Sequence, residues 1–360
     1  MLSAAGALQK LGVTLPVSET REQKTGFWNL FSRFQLSAEE KGKAINNNTG
    51  GLKRPEKVLV GGGSGFIGEE VCMRLRRAGF EVIIISRSPG QHKITWDSVY
   101  REGLPTGTKA VINLAGQNVL DPFSRWSPAF KELCRSSRLE TTRQLATAVR
   151  LAPDASKPKV FVAVTGVGYY APDQEKVYDE GGAQGSDWLA QLAGEWEAEA
   201  KQSGIRTVIL RPGVVLGRNG GMIKQIYLPF FLGLGGRMGS GTQPLPWIHV
   251  KDLAGLIHHA VETETLEGVY NAVAPQIITN KKFVDTLAGT MGRPAFIPIP
   301  EFEWNLIFGE ERAAMITKGQ KVVPSRSLEA GFKFRFPTIE EACSEFAKFP
   351  YLDNDLSSMD

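Results

Sequence analysis

The sequence predicts an α/β protein, a doubly wound parallel sheet followed by a smaller C-terminal α/β lobe. Three observations carry this. Short continuous apolar runs at Val58–Val60, Val82–Ile85, Ala110–Leu114, Val160–Val164 and Thr207–Leu210 have the pattern of strands buried on both faces. Between them lie helical stretches, Phe66–Ala78 stopped by Gly79, then Pro128–Leu151 and Asp187–Ser203. Strands alternating with helices, joined by right-handed crossovers, wind a parallel sheet with helices on both faces. After Arg211 the rhythm changes. Helical segments near Met222–Leu232, Lys251–Glu262, Lys281–Met291 and Thr338–Phe346 alternate with short extended pieces rich in Pro. A ligand of such a protein sits between the lobes, beyond the carboxyl ends of the parallel strands.

The first strand runs straight into Gly61-Gly62-Gly63-Ser64-Gly65-Phe66-Ile67-Gly68, which contains G-x-x-G-x-x-G at Gly62, Gly65 and Gly68. In a dinucleotide-binding Rossmann turn the first glycine makes the tight turn and the second lets a pyrophosphate approach. The third lets the helix pack close to the sheet. Free N–H groups and partial positive charge at the helix start receive the phosphates. Glycine patterns are common, but this one follows a strand, opens a helix and precedes a second strand. At the end of that second strand, where an acid would bind the ribose hydroxyls of NAD, stand Ser86-Arg87-Ser88. Arginine there accommodates the 2′-phosphate of NADP, so the expected cofactor is NADP(H).

Composition narrows the class. Apolar residues at 42% and charged residues at 22% exclude disorder for the chain as a whole. The net charge of +4 sits mostly in residues 1–56, with eight Lys/Arg against five Glu; the remainder has 34 basic and 33 acidic residues. A nearly neutral folded part lacks the basic footprint of a nucleic-acid binder. Three scattered cysteines, Cys72, Cys134 and Cys343, make no disulfide framework, and they never cluster with the four His at metal-ligand spacing. No metal is expected. The longest apolar stretch, Ile226–Leu234, is short of the roughly 20 residues of a membrane span and contains Pro229. These features describe a soluble intracellular protein of the mitochondrial matrix or cytoplasm, not a secreted one. The first 18 residues carry Lys10 and no acid, which leaves a transit peptide and a start of no consequence both open. The expected organisation is a poorly ordered extension over 1–56 with one short helix around Phe27–Phe34, and a cofactor-binding domain over 57–215. A substrate-side lobe over 216–350 and a tail over 351–360 follow.

With these residues in hand the chain resembles the extended short-chain dehydrogenase/reductases. Asn113-Leu114-Ala115-Gly116 is similar to that superfamily's loop after the fourth strand. Leu210-Arg211-Pro212-Gly213 is similar to the loop after the sixth, and Trp247–Ala254 to its "hVdDlA" segment. Ile94–Asp97, Val164–Tyr170 and Gly319–Pro324 resemble the 39U subgroup, an atypical branch of epimerase family proteins. The resemblance covers about Lys57 to Phe346. It implies NADP(H) held by Gly62, Ser64, Gly65, Phe66, Ile67, Gly68, Ser86, Arg87, Asn113, Leu114, Ala115, Gly116, Arg211 and Pro212.

The superfamily's chemistry uses a Tyr and a Lys four residues on, the Lys charge lowering the Tyr pKa. Their expected helix, Asp187–Glu197, contains neither. Thr165 and Tyr170 are the substitute candidates for proton handling, set against a satisfied strand-end hydroxyl and a cleft-lining ring. His249 suits a packed or capping role better than catalysis, and Asp252 suits a helix first turn. Glu195 and Glu197 are expected on a largely solvated helix, with an inward turn open for one of them. Arg125, Trp126 and Arg138 resemble subgroup features near the cleft. Arg138 pairs either with a substrate anion or with a neighbouring acid. Two function classes follow. One is an NADP(H)-dependent oxidoreductase or epimerase-like enzyme acting by hydride transfer on a small carbonyl or hydroxyl substrate. The other is a non-catalytic cofactor-binding regulatory or scaffold protein.

Overall fold

The computed structural model describes residues 55–119, 126–297 and 317–347. The expected N-terminal extension up to Arg54, with its short helix, the C-terminal tail and Arg125 lie outside these residues. In chain order the elements are β1 (Lys57–Gly61), α1 (Phe66–Arg77), β2 (Glu81–Ser86), β3 (Lys93–Thr95), α2 (Trp96–Glu102), β4 (Thr108–Asn113) and α3 (Pro128–Leu151). Then come β5 (Val160–Val164), β6 (Asp173–Tyr178), α4 (Trp188–Lys201), β7 (Thr207–Pro212), β8 (Val214–Leu216) and α5 (Gly221–Phe231). The last are β9 (Trp247–His249), α6 (Val250–Glu262), β10 (Gly268–Ala272), α7 (Asn280–Met291), β11 (Gln320–Val322), α8 (Ser325–Glu329) and α9 (Ile339–Ala347).

Seven strands form one parallel sheet in the order β10-β7-β5-β4-β1-β2-β3. The five apolar runs of the sequence are its five central strands. β1 pairs with β2 through Val58↔Val82 and Val60↔Ile84, and with β4 through Val60↔Ile112. Alternate residues divide between two cores, as the two-residue strand period requires. Val58, Val60, Val82, Ile84, Ile112 and Val162 face α1 and α6, whereas Leu59, Ile83, Val111, Phe161 and Ile209 face α3 and α4. The chain therefore winds outward from β1 in both directions, and the strand order reverses between β1 and β4. That is the switch point where doubly wound sheets bind ligands.

The sheet also draws on residues past 215. After the excursion through α5, α6 packs on α1, and β10 pairs with β7 at the sheet edge through Val269↔Ile209. β10 is short and contains Asn271, so its apolar run is too brief to stand out in the sequence. A third core gathers Leu216, Trp247, Phe283, Phe336, Cys343 and Phe346 between α5, α7 and α9.

The Trp247–Ala254 segment joins the sheet to this third core. His249, fully buried, caps α6 by accepting from Lys251 N. Its ring packs 4.0 Å from the Phe336 centroid, and Nε2 lies 3.2 Å from Glu345 Oε2. Asp252 accepts from the backbone N–H groups of Arg335 (2.7 Å) and Phe336 (2.9 Å). Both side chains are structural clamps. Among the described residues, no helix is long and apolar enough to cross a membrane.

Burial pushes the Glu345 carboxyl up, but His249 and Lys251 outweigh it and hold it at about 2, below its ordinary 4.5. A carboxylate whose folded pKa is depressed stabilises the fold above its unfolded pKa, and that stability is lost as pH falls through the window between the two. Glu345→Gln is expected to lower stability at neutral pH by at most about 3 kcal/mol. Melts run from pH 5 down to pH 2 (roughly the window that linkage sets) should show a shallower acid decline for the variant. Equal declines would refute the clamp.

Candidate functional site

The turn after β1 is held by backbone contacts that only glycine permits. Gly62 has φ +77°, and a Cβ there would stand 2.8–2.9 Å from the backbone of Leu114 and Ala115. A Cβ on Gly68 would stand 2.3 Å from Gly62 O, so α1 rides directly on the turn. Gly65 is different. Its φ is −87°, and a Cβ would meet only Gly62 O at an ordinary 3.4 Å. The protein's own packing does not require glycine there, whereas a pyrophosphate pressed against the turn does.

Gly65 is also the N-cap of α1, and no side chain caps that helix. By contrast α2, α3, α4, α6 and α7 are capped by Thr95, Ser127, Asp187, His249 and Thr279. The N–H groups of Phe66, Ile67 and Gly68 have no intrahelical acceptor, the arrangement in which a helix start receives an anion. Ser64 is exposed beside them. The Phe66 ring packs on the 217–221 loop, where a Cβ on Gly220 would stand 2.3 Å from it, and Ile67 packs on the α1–α6 core.

The neighbouring strand ends complete the rim. Asn113, fully buried, accepts from Ala115 N (3.0 Å) and donates to Thr142 Oγ1 (2.8 Å), while Leu114 N donates to Gly61 O (2.9 Å). The loop from Leu114 to Gly116 is thus pinned against the glycine turn. At the end of β2, Ser86 Oγ donates to Ser88 O. Arg87 beside it is exposed, and no acid pairs with it among the described residues.

The carboxyl ends of β5 and β7 carry a buried polar network. Arg211 donates from Nε to Glu197 Oε1 (2.6 Å) and from Nη2 to Glu197 Oε2 (2.8 Å), with both side chains 3% exposed. Arg211 Nη1 donates to the Tyr170 hydroxyl (2.8 Å), which donates in turn to Asn271 Oδ1 (2.8 Å). The guanidinium lies 3.4 Å from the Tyr169 ring centroid. Burial alone would lower the Arg211 pKa; Glu197 and Tyr170 more than offset it and raise it. The Thr165 hydroxyl lies 3.4 Å from Glu197 Oε1 and 3.3 Å from Leu210 O.

This placement revises two expectations and decides a third that was open. Tyr170, a candidate proton donor, is 1% exposed with its hydroxyl committed on both sides, and burial pushes its pKa up. Arg211, expected against the cofactor, turns its donors to Glu197 and Tyr170, while Pro212 beside it remains half-buried. Glu197 is the acid of α4 that points inward, while Glu195 stays outside and pairs with Arg135 at 2.8 Å. The signal was present. Ala190, Ala193, Glu197 and Ala200 follow the helical three-and-four spacing of one buried face. Thr165 keeps its place at the end of β5.

Two cavities of about 310 Å³ beside Thr242 and Lys321 and about 270 Å³ beside His258 and Phe332 contain none of the candidate residues. Burial pushes the Cys72 thiol up to about 11 and the Cys343 thiol up to about 12, so neither is a poised nucleophile.

A family model described as the NAD dependent epimerase/dehydratase family matches residues 58–272, a span that includes the whole rim. A second, a domain of unknown function (DUF1731), matches residues 299–346. The epimerase family protein SDR39U1 of Bos taurus is 49% identical over 293 residues, 80% of this chain and 99% of the relative. Its Homo sapiens counterpart is 47% identical over 292 residues, with the same coverage. The crystal structure of human epimerase family protein SDR39U1 (isoform 2) with NADPH superposes with a TM-score of 0.79 at 46% identity. It covers 81% of this chain and 99% of that one.

Tyr170→Phe removes the one hydroxyl that joins Arg211 Nη1 to Asn271 Oδ1 and leaves both buried groups unsatisfied. A loss of roughly 1–3 kcal/mol is expected, read by urea melts. Unchanged stability would show that water replaces the hydroxyl.

Proposed function

The chain belongs to the NAD dependent epimerase/dehydratase family, and on that premise we propose that it binds NADP(H) in the crevice between β1 and β4. We propose further that it is an oxidoreductase or epimerase-like enzyme for a small carbonyl or hydroxyl substrate. The observation that carries the reading is Gly65, a glycine the protein does not need for itself, at the uncapped start of α1. Phe66, Ile67 and Gly68 offer their N–H groups to the pyrophosphate, with Gly62 and Ser64 shaping the approach. Ser86 and Arg87 receive the 2′-phosphate, and the loop Asn113–Gly116 lines the opposite wall. The NADPH bound to the human relative supports this choice of cofactor.

Bound NADP(H) supplies or accepts the hydride. Thr165 Oγ1, which in the free protein gives its one proton to Glu197 or to Leu210 O, turns that proton to the reacting oxygen and so orients the substrate carbon, and a water supplies the proton that balances the hydride. Glu197 lies behind that hydroxyl, and two hydrogen bonds from Arg211 hold it there. Tyr170 acts at one remove, by positioning Arg211. The second reading, a cofactor-binding regulatory protein, is favoured by the missing Tyr/Lys pair on α4 and by the committed Tyr170 hydroxyl.

Arg87→Ala is expected to weaken NADPH roughly ten- to hundredfold with little change for NADH, in fluorescence titrations. Equal affinities of the parent protein for both would refute the cofactor choice. Gly65→Ala should leave the melting temperature unchanged and weaken both dinucleotides. In a carbonyl screen that follows NADPH oxidation, Thr165→Val should cut turnover on the order of 10²–10⁴-fold at unchanged NADPH affinity. No turnover across the screen, with NADPH still bound, would favour the regulatory reading.

A further inference from the structure

The face that α3 turns to α4 is laced by ion pairs. Arg135 pairs with Glu195 at 2.8 Å, and Arg143 grips Glu199 through Nε and Nη2. Arg138 lies between these two and breaks the pattern. No acid pairs with it among the described residues. Its guanidinium carbon stands 5.2 Å from the Trp196 ring centroid, and Nη1 donates to Cys134 O, one turn back on its own helix, at 3.1 Å. A guanidinium has five N–H groups; its acceptors among the described residues are the carbonyl oxygen and the thiol of Cys134, neither of them an acid. The side chain is half-buried, and burial pushes its pKa down. A cation withdrawn from water without a counter-charge is costly to the free protein. The Trp196 ring offsets only part of that cost.

Its place gives the cost a use. Arg138 packs on the loop that leaves β4: a Cβ on Gly116 would stand 3.1 Å from Arg138 Cγ and 3.2 Å from its Cζ. The same loop touches the glycine turn through Leu114 and Ala115. Arg138 therefore borders the crevice at the switch point. It belongs to the α3–α4 face, opposite the α1 face whose helix start receives the pyrophosphate. Trp196, on which it stacks, adjoins Glu197, the partner of Thr165.

We propose that Arg138 is the anchor for an oxyanion of the substrate, a carboxylate or a phosphate, so that the substrates are small anionic carbonyl or hydroxy compounds. The planar guanidinium fork suits either group, in a bidentate contact. This rests on the NADP(H) reading above and extends it from reaction type to substrate class.

The test uses the full chain. NADPH is titrated first, by fluorescence. The NADPH-loaded protein is then titrated calorimetrically with inorganic phosphate and with 2-oxobutyrate, and with the methyl ester of 2-oxobutyrate as the neutral control. The parent should bind at least one of the anions and not the ester. Arg138→Gln should weaken that anion roughly ten- to hundredfold while leaving NADPH affinity unchanged. Arg138→Lys, which keeps the charge without the fork, should fall between and serves if the Gln variant fails to fold. Anion binding that is absent in the parent or equal in the variants overturns the proposal. So does a loss of NADPH affinity in Arg138→Gln, because the oxyanion would then be the cofactor's own phosphate. Failure of the parent to bind NADPH in the first titration refutes the cofactor reading itself and this extension with it.

Discussion

A charge pair sealed from water, Arg211 with Glu197, holds the carboxyl edge of the sheet together. It ties the end of β7 to α4, and through Tyr170 it reaches Asn271 on β10, whose amide donates to Val323 O beyond β11 at 3.0 Å. Three segments thus meet at one guanidinium, and the Tyr170 hydroxyl extends the network to two more. Such a pair does not stabilise a fold strongly in itself, because desolvating both ions offsets most of their attraction. Its consequence is specificity. Losing either partner strands the other charge in a dry interior, a cost of about 3–5 kcal/mol, so this edge has one low-energy arrangement.

That arrangement occupies the place of the superfamily's usual pair. Where a Tyr and Lys would present a phenol and an ammonium to the crevice, this chain has a carboxylate neutralised from behind and a threonine hydroxyl within reach of it. Positive charge is redistributed as well. Arg211 is consumed inside, while Arg87 at the end of β2 and Arg138 beside the β4 loop pair with no acid among the described residues. On the proposed reading, these two arginines, which pair with no acid among the described residues, would meet anionic ligands on either side of the crevice.

Local signals carried the fold and the glycine turn. The five central strands are continuous apolar runs because a parallel sheet covered on both faces puts every side chain inside. The glycine turn is legible because a positive φ at Gly62 and close approach at Gly68 leave no other residue type. The side chains that cap five of the helices are Ser, Thr, Asp and His, placed where a start is expected.

What only the tertiary structure decided is where long-range partners meet. A sequence does not say that Glu197 faces Arg211, because their contact depends on how α4 lies across β5 and β7. Nor does it say that Tyr170 is enclosed by β10, whose short run gains its strand identity from pairing with β7. Arg138 is the clearest instance. Its type and helix are plain in the chain, and both an acid partner and a ligand were open to it. Only the packing of α3 on α4, which sets the Trp196 ring beside it, leaves that charge without an acid among the described residues.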